Sequence, residues 1–251
     1  MMTRARYPAL IVAVVAIAAY ANTLGNGFLM DDHYAIVENS ELPTQKILPL
    51  FTHPWGSGAQ RAQDKKIGST YYRPLTALSL VADYALYGLH AAGYHATNTL
   101  LFALIAFFVT LALFFILLGP TDATSLPDAD RRRLARAALL GGLLFALHSV
   151  HTEVVNLISY RGELLAALAY TIAIVVHVRW PRSWRVDILG LPALYALGLL
   201  AKESAVTLPG WLLLASLLIT ARRPQAPVSS SEAGRKHHCP LFHVIRRFAP
   251  L

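Results

Sequence analysis

The chain has 251 residues, of which 55% are hydrophobic and only 14% charged. A soluble domain carries roughly a quarter charged residues, so the composition excludes an ordinary soluble globule and points to a membrane protein. The net charge of +8 would suit nucleic acid in a soluble protein. Here the arginines flank apolar stretches, and orientation in a bilayer accounts for them without a nucleic-acid partner. The single cysteine, Cys239, excludes an internal disulfide framework.

Six apolar stretches are fit to cross a bilayer core about 30 Å thick. The first, Pro8 to Leu24, follows the basic start "MMTRAR" and is read as an uncleaved anchor, because no small-residue cleavage site leads into a soluble domain. The next five are Gly93 to Leu118, Ala135 to Val150, Glu163 to Val178, Val186 to Ala201 and Val206 to Thr220. Between the first two lies a long loop, Gly25 to Ala92. Within it "LPTQKILPLFTHPW" has the pattern of a short helix on the membrane surface. Arg73 to Gly88, "RPLTALSLVADYALYG", is short and interrupted by Asp83, and reads as an interfacial or re-entrant helix.

Counting bases gives an orientation. With the amino terminus in the cytoplasm, four groups fall inside: Arg4 and Arg6; Arg131, Arg132, Arg133 and Arg136; Arg179, Arg182 and Arg185; and Arg222 with Arg223. Every even-numbered connection is then basic, as the positive-inside rule asks. The long loop, the link near His151 to Arg161, and "AKES" at Ala201 to Ser204 share the opposite face.

Most remaining charges converge on that opposite face. Asp31 and Asp32 follow the first stretch, Arg73 precedes the interfacial helix, and His95 opens the second stretch. His148, His151 and Glu153 end the third, Arg161 and Glu163 begin the fourth, and Lys202 and Glu203 end the fifth. Any one of them could simply reach interfacial water. As a set on one face they predict a shared polar site, because charge at membrane depth is costly unless it pairs or lines a cavity. Adjacent acids suit a general base with a partner, or a divalent cation held through oxygens. "HSVHTE" places His148 and His151 three apart with Glu153 nearby, but it is not the H-E-x-x-H arrangement of helical zinc enzymes. "KHHCPLFH", with His237, His238, Cys239 and His243, follows a Ser/Pro-rich linker and reads as part of a disordered basic tail.

Four segments, "NGFLMDDHYAIVEN", "YYRPLTALSLVADYALYGLHAAGYHATN", "LLFALHSVHTEVVNLISYRGELLA" and "AKESAVTLP", occur in that order. Together they resemble the transmembrane and tetratricopeptide-repeat O-mannosyltransferases and their bacterial relatives, within the GT-C class of membrane glycosyltransferases. The resemblance covers about Tyr7 to Thr220 and implies an all-α, GT-C-like membrane bundle, truncated at about six spans. It implies transfer of a sugar, in this family mannose, from a polyprenyl-phosphate donor to a hydroxyl acceptor such as protein Ser or Thr, on the periplasmic or endoplasmic-reticulum lumenal face. Asp31 is the implied base and Asp32 its partner. Arg73, Arg161 and Lys202 are the cations for the departing phosphate, and His95 and His151 are donors. Glu153 orients the acceptor or a cation, with Glu203 in the substrate-binding set. No cofactor is required, although a divalent cation could be accommodated.

The sequence departs from the family pattern at Ser149, where proline is usual, and at Phe102, where histidine is common. Family members continue through further spans and a helical-repeat domain. No such repeat is present here, so residues 1–221 read as a partial transmembrane region and 222–251 as a basic cytoplasmic tail, the whole resembling a fragment, an early stop or a shifted frame. Two other classes compete with an enzyme. A small transporter predicts ionisable groups at span centres, whereas most here lie at span ends. A non-catalytic membrane fragment has the same composition as an enzyme. The alanine-rich, cysteine-poor composition leans towards a bacterial source.

Overall fold

The computed structural model describes residues 2–39, 42–44, 46–52, 72–119, 126–180 and 183–221. Those residues form an all-α membrane bundle with no strand among them. In chain order the helices are α1 (Met2–Tyr20), α2 (Ile47–Leu50), α3 (Pro74–Tyr87), α4 (Ala91–Leu118), α5 (Asp128–Ala146), α6 (His151–Asn156), α7 (Arg161–Arg179), α8 (Leu191–Ala201) and α9 (Leu208–Ala221). Each of the six predicted apolar stretches falls on a helix. Three segments among the described residues are long and apolar enough to cross a membrane: Ala5–Gly25, Ala91–Leu118 and Ile158–Arg179. Val186–Ala201 and Glu203–Leu217 are shorter apolar helices. The third predicted stretch, Ala135 to Val150, differs from the structure at both ends. Its helix starts at Asp128 with a charged first turn and stops at Ala146. The tail from 222 onward, with its histidines and Cys239, lies outside the described residues.

The 28-residue α4 is the axis of the bundle, about 42 Å long at 1.5 Å per residue. It packs against α1, α5 and α7, while α8 packs on α7. In α1 the buried side chains include Ala5, Pro8, Ala9, Val12, Ala16 and Tyr20, a helical stripe dominated by small residues that lets the backbones approach. Tyr7, Leu10, Ile11, Val14 and Ile17 occupy the exposed side, as a lipid-facing stripe would. Gly142 of α5 is required for this packing: a Cβ there would stand 2.2 Å from Thr110 Oγ1 of α4 and 3.0 Å from a Val12 methyl of α1.

The segment 73–88 is more deeply integrated than a helix resting on the interface. Pro74 sits at the start of α3, where a missing N–H costs nothing, and Gly88 ends it at φ +57°. Thr76, Ala77, Leu80 and Asp83 are buried, and α3 packs on α4, α7 and α8. Asp83, which makes this segment look unfit for an apolar setting, points inward to a partner. By contrast α2 has a buried Leu50 beside exposed Ile47 and Leu48, the pattern of a surface-lying turn.

The bundle has two unlike ends. The C-terminal ends of α1, α5 and α8 meet the N-terminal ends of α4, α7 and α9 at a polar end that holds all the predicted site residues. The opposite end is arginine-rich. There Arg179, at the end of α7, lies 5.9 Å from the Phe115 ring near the end of α4.

Candidate functional site

The site begins where α1 tightens into a 3-10 turn, Ala21–Gly25, and the chain crosses the mouth of the bundle. Asn26 Nδ2 donates to Asn156 Oδ1 at 2.7 Å, which fixes this crossing to the end of α6. Met30 then takes a left-handed φ of 43°, a conformation that costs a non-glycine residue on the order of 1 kcal/mol or more. That reversal puts Asp31 and Asp32 in unlike surroundings although they are adjacent.

Asp32 is fully buried. Its Oδ2 accepts the Leu29 N–H at 3.1 Å and its Oδ1 accepts the Ser159 N–H at 2.7 Å. It therefore ties the loop after α1 to the turn before α7. Asp31 is exposed, and no hydrogen bond engages its carboxylate among the described residues. Its electrostatic neighbours include Tyr160, which is hydrogen-bonded to Glu153 and also feels Glu163. Asp31 and Glu153 thus stand around one phenol.

The predicted cations separate into two kinds. Arg161 has no exposed surface. Its Nη2 donates to Asp83 Oδ2 at 2.7 Å and to the Tyr94 carbonyl at 3.1 Å, and its Nε donates to Asn98 Oδ1. Asp83 Oδ1 accepts from Thr97 at 3.0 Å, and Asn98 Nδ2 donates to the Val155 and Leu157 carbonyls, each at 3.2 Å. One arginine thereby joins α3, α4, α7 and the α6 turn. His95 is equally buried, with Nε2 3.2 Å from the Gly27 carbonyl. Both side chains are enclosed within the bundle, and among the described residues His95 Nδ1 and Arg161 Nη1 make no hydrogen bond.

Lys202 and Arg73 are partly exposed and lie at the rim. Lys202 pairs with Glu163 and has its Nζ 5.9 Å from the Tyr160 ring centroid. Arg73 meets Glu203 in a forked pair, with Nη2 2.8 Å and Nε 3.1 Å from carboxylate oxygens. The Arg73 guanidinium holds the Glu203 carboxyl below its ordinary range. These two pairs, Tyr160 and Asp31 form one contiguous polar surface.

His151 stands apart from that surface. Its ring is 4.4 Å from Phe145 and 5.1 Å from Phe102, with His148 at 6.3 Å. Burial, aided by the nearby His148, holds its imidazole below the ordinary value of 6.5. Phe102, one of the expected departures from the family pattern, forms an aromatic wall beside His151. His148 is exposed, and its Nδ1 accepts the Val150 N–H at 3.1 Å. Among the described residues no three His, Cys, Asp or Glu side chains converge as a metal site.

Asp83, Asn98, Tyr94 and Tyr160 join the contacts at this end, although the sequence alone does not assign them to the site. Asp83 carried a signal, a lone acid inside an apolar segment, which calls for a partner. Asn98 and Tyr94 are neutral and carried none.

These features define an all-α membrane protein with a charged, partly buried polar site at one end of its bundle. Comparison with known proteins makes the class specific. The chain is 34% identical over 213 residues to human protein O-mannosyl-transferase TMTC4, covering 80% of this chain and 28% of that protein. It is 32% identical over 209 residues to mouse protein O-mannosyl-transferase TMTC3, covering 80% and 20%. Against Drosophila melanogaster protein O-mannosyl-transferase Tmtc2 the identity is 33% over 213 residues, covering 77% and 20%. The chain is a homologue of the TMTC protein O-mannosyl-transferases, as the four motifs indicated. It spans between about a fifth and three-tenths of the length of these relatives. No family model matches, and no solved structure does.

Proposed function

We propose that this chain carries the acceptor-activating half of a GT-C-type mannosyltransferase site. The donor is a polyprenyl-phosphate sugar, and the acceptor is a hydroxyl, as of a protein Ser or Thr. The polar end faces the periplasm or endoplasmic-reticulum lumen and the arginine-rich end the cytoplasm, as the distribution of arginines favours. The observation that carries the reading is the division of labour between the two acids. Asp31 is exposed with no hydrogen bond to its carboxylate among the described residues, while Asp32 is buried and accepts two backbone N–H groups.

An alcohol is a poor nucleophile at neutral pH, so its proton must be removed as it attacks. Asp31 takes that proton. The acceptor oxygen bonds to the anomeric carbon, the bond from that carbon to the donor phosphate oxygen breaks, and the polyprenyl phosphate leaves with the electron pair. One displacement inverts the anomeric centre. Asp32 fixes the loop, and hence the direction of Asp31. The leaving phosphate gains negative charge, which Lys202 and Arg73 stabilise from the rim by exchanging part of their contact with Glu163 and Glu203. Arg161 and His95 act behind them, by holding α3, α4 and α7 in register. No step calls for a metal ion, and a divalent cation between carboxylate and phosphate is compatible with the same scheme.

The test is transfer of radiolabelled mannose from dolichyl phosphate mannose to a Ser/Thr-rich peptide, in membranes carrying the chain. A full-length relative is run alongside. Asp31→Asn should lower transfer by about 10²–10⁴-fold, the usual contribution of a general base. Undiminished transfer by Asp31→Asn would remove Asp31 from the role. No transfer by the wild-type chain beside an active relative would show that this segment does not suffice.

A further inference from the structure

The arginine-rich end contains a cavity that the proposed transfer reaction does not use. It lies between the N-terminal halves of α1 and α5 and has a volume of about 480 Å³. Arg131, Arg132 and Arg136 line one side, and Pro8, Ile11 and Leu139 form an apolar wall. Asp128 also lines it and is engaged by Arg131 at 2.5 Å. Three arginines against one aspartate leave the lining two charges positive. Arg132 and Arg136, both exposed, stand one helical turn apart on α5, where like charges repel.

An arginine that only orients a span needs no cavity and no apolar wall. Here the wall continues outward along the exposed side of α1 through Ile11 and Val14. A ligand suited to this place has a compact anion for two guanidinium groups and a hydrocarbon portion for the α1 face. Arginine is well matched to phosphate, because its planar donors bind two oxygens at once. We infer that this cavity binds an anionic glycerophospholipid, its phosphodiester held by Arg132 and Arg136 and one acyl chain lying along Tyr7, Ile11 and Val14. The apolar wall decides for a lipid over free phosphate. The cavity's position at the ends of α1 and α5 puts it at headgroup depth, where basic pockets between helices take acidic lipids.

The test uses the full chain purified in a non-ionic detergent and stripped of lipid. Native mass spectrometry then counts adducts with dioleoylphosphatidylglycerol, with dioleoylphosphatidylcholine, and with phosphatidylglycerol in the presence of glycerol 3-phosphate. The wild type should prefer phosphatidylglycerol, and Arg132→Gln/Arg136→Gln should weaken that binding about tenfold or more. Arg133→Gln/Arg185→Gln removes the same charge outside the cavity and should leave binding unchanged. Arg132→Lys/Arg136→Lys should restore part of it. Equal loss in the two double glutamine variants would overturn the site in favour of net charge alone. Equal binding of phosphatidylcholine would overturn it, and so would displacement of the lipid by an equal concentration of glycerol 3-phosphate, which would make this a free-anion site.

Discussion

The Arg161 guanidinium donates to Asp83 Oδ2 at 2.7 Å from a side chain with no exposed surface, and this pair ties the start of α7 to the C-terminal half of α3. Both partners are taken from water, so their attraction must offset a large desolvation cost. The geometry helps, since Thr97 satisfies the other Asp83 oxygen and Asn98 takes the Arg161 Nε–H. Removing one partner is far more damaging than removing both, because it strands a buried charge.

Asp83→Leu should therefore destabilise the chain by about 3–5 kcal/mol. The double variant Asp83→Leu/Arg161→Met should recover much of that loss. Thermal unfolding in detergent, followed by circular dichroism, reads both. A double variant no more stable than Asp83→Leu would mean that the arginine contributes through Asn98 and Tyr94 and not through the ion pair.

Gly162 stands one residue further along α7, packed against α3 and the end of α8. A Cβ there would lie 2.9 Å from Thr76 Oγ1 and 3.0 Å from the Ala201 carbonyl oxygen. The carbonyl is backbone, and it already accepts the Thr76 hydroxyl at 2.8 Å, so it has little freedom to retreat. Gly162→Ala should cost about 1–3 kcal/mol by overpacking. Gly27→Ala, with nothing within 4 Å of its added carbon, is the control and should be near neutral by the same melting measurement.

Periodicity and length placed the six apolar stretches on helices because burying an apolar helix in lipid needs no long-range information. The ends were less legible. Hydropathy marks only Ala135 to Val150, while the helix starts earlier because Asp128 and Asp130 suit its N-terminal dipole and pair with Arg131 and Arg133. Gathering the charges at one end followed from counting bases. Which of them faces a ligand did not. Adjacent aspartates look alike in a sequence, and what distinguishes this pair is the burial of Asp32 and its bond from the N–H of Ser159, 127 residues away. Arg161 is likewise engaged by residues on two other helices, α3 and α4, a fact of tertiary packing with no local signature.

His151 gives a pH dependence with a definite sign. Its folded-state value is depressed below 6.5, so between the two values the unfolded chain binds more proton than the folded one. Its contribution is fully present above the unfolded value and is lost as pH falls through the folded one. Melting temperature should thus fall on acidification from about pH 7.5 to about pH 5.5, and His151→Gln should flatten that part of the profile. The ring is only half-buried, so the difference between the profiles is modest. Parallel profiles for the two proteins would assign the acid sensitivity elsewhere.

The two aspartates should separate stability from activity. Asp32→Asn keeps the shape but turns one of two acceptor oxygens into an NH2 group, which cannot accept from Leu29 or Ser159. Leaving a buried N–H without its partner costs about 1–3 kcal/mol, so this variant should melt earlier. Asp31→Asn breaks no hydrogen bond seen among the described residues, so its melting temperature should hold. If Asp31 is the base, its variant should lose mannosyl transfer while remaining as stable as the wild type. Asp32→Asn, assayed well below its melting temperature, should retain partial transfer because its loop is loosened and its base intact. The reverse pattern, with a stable, inactive Asp32→Asn and an active Asp31→Asn, would exchange the two roles.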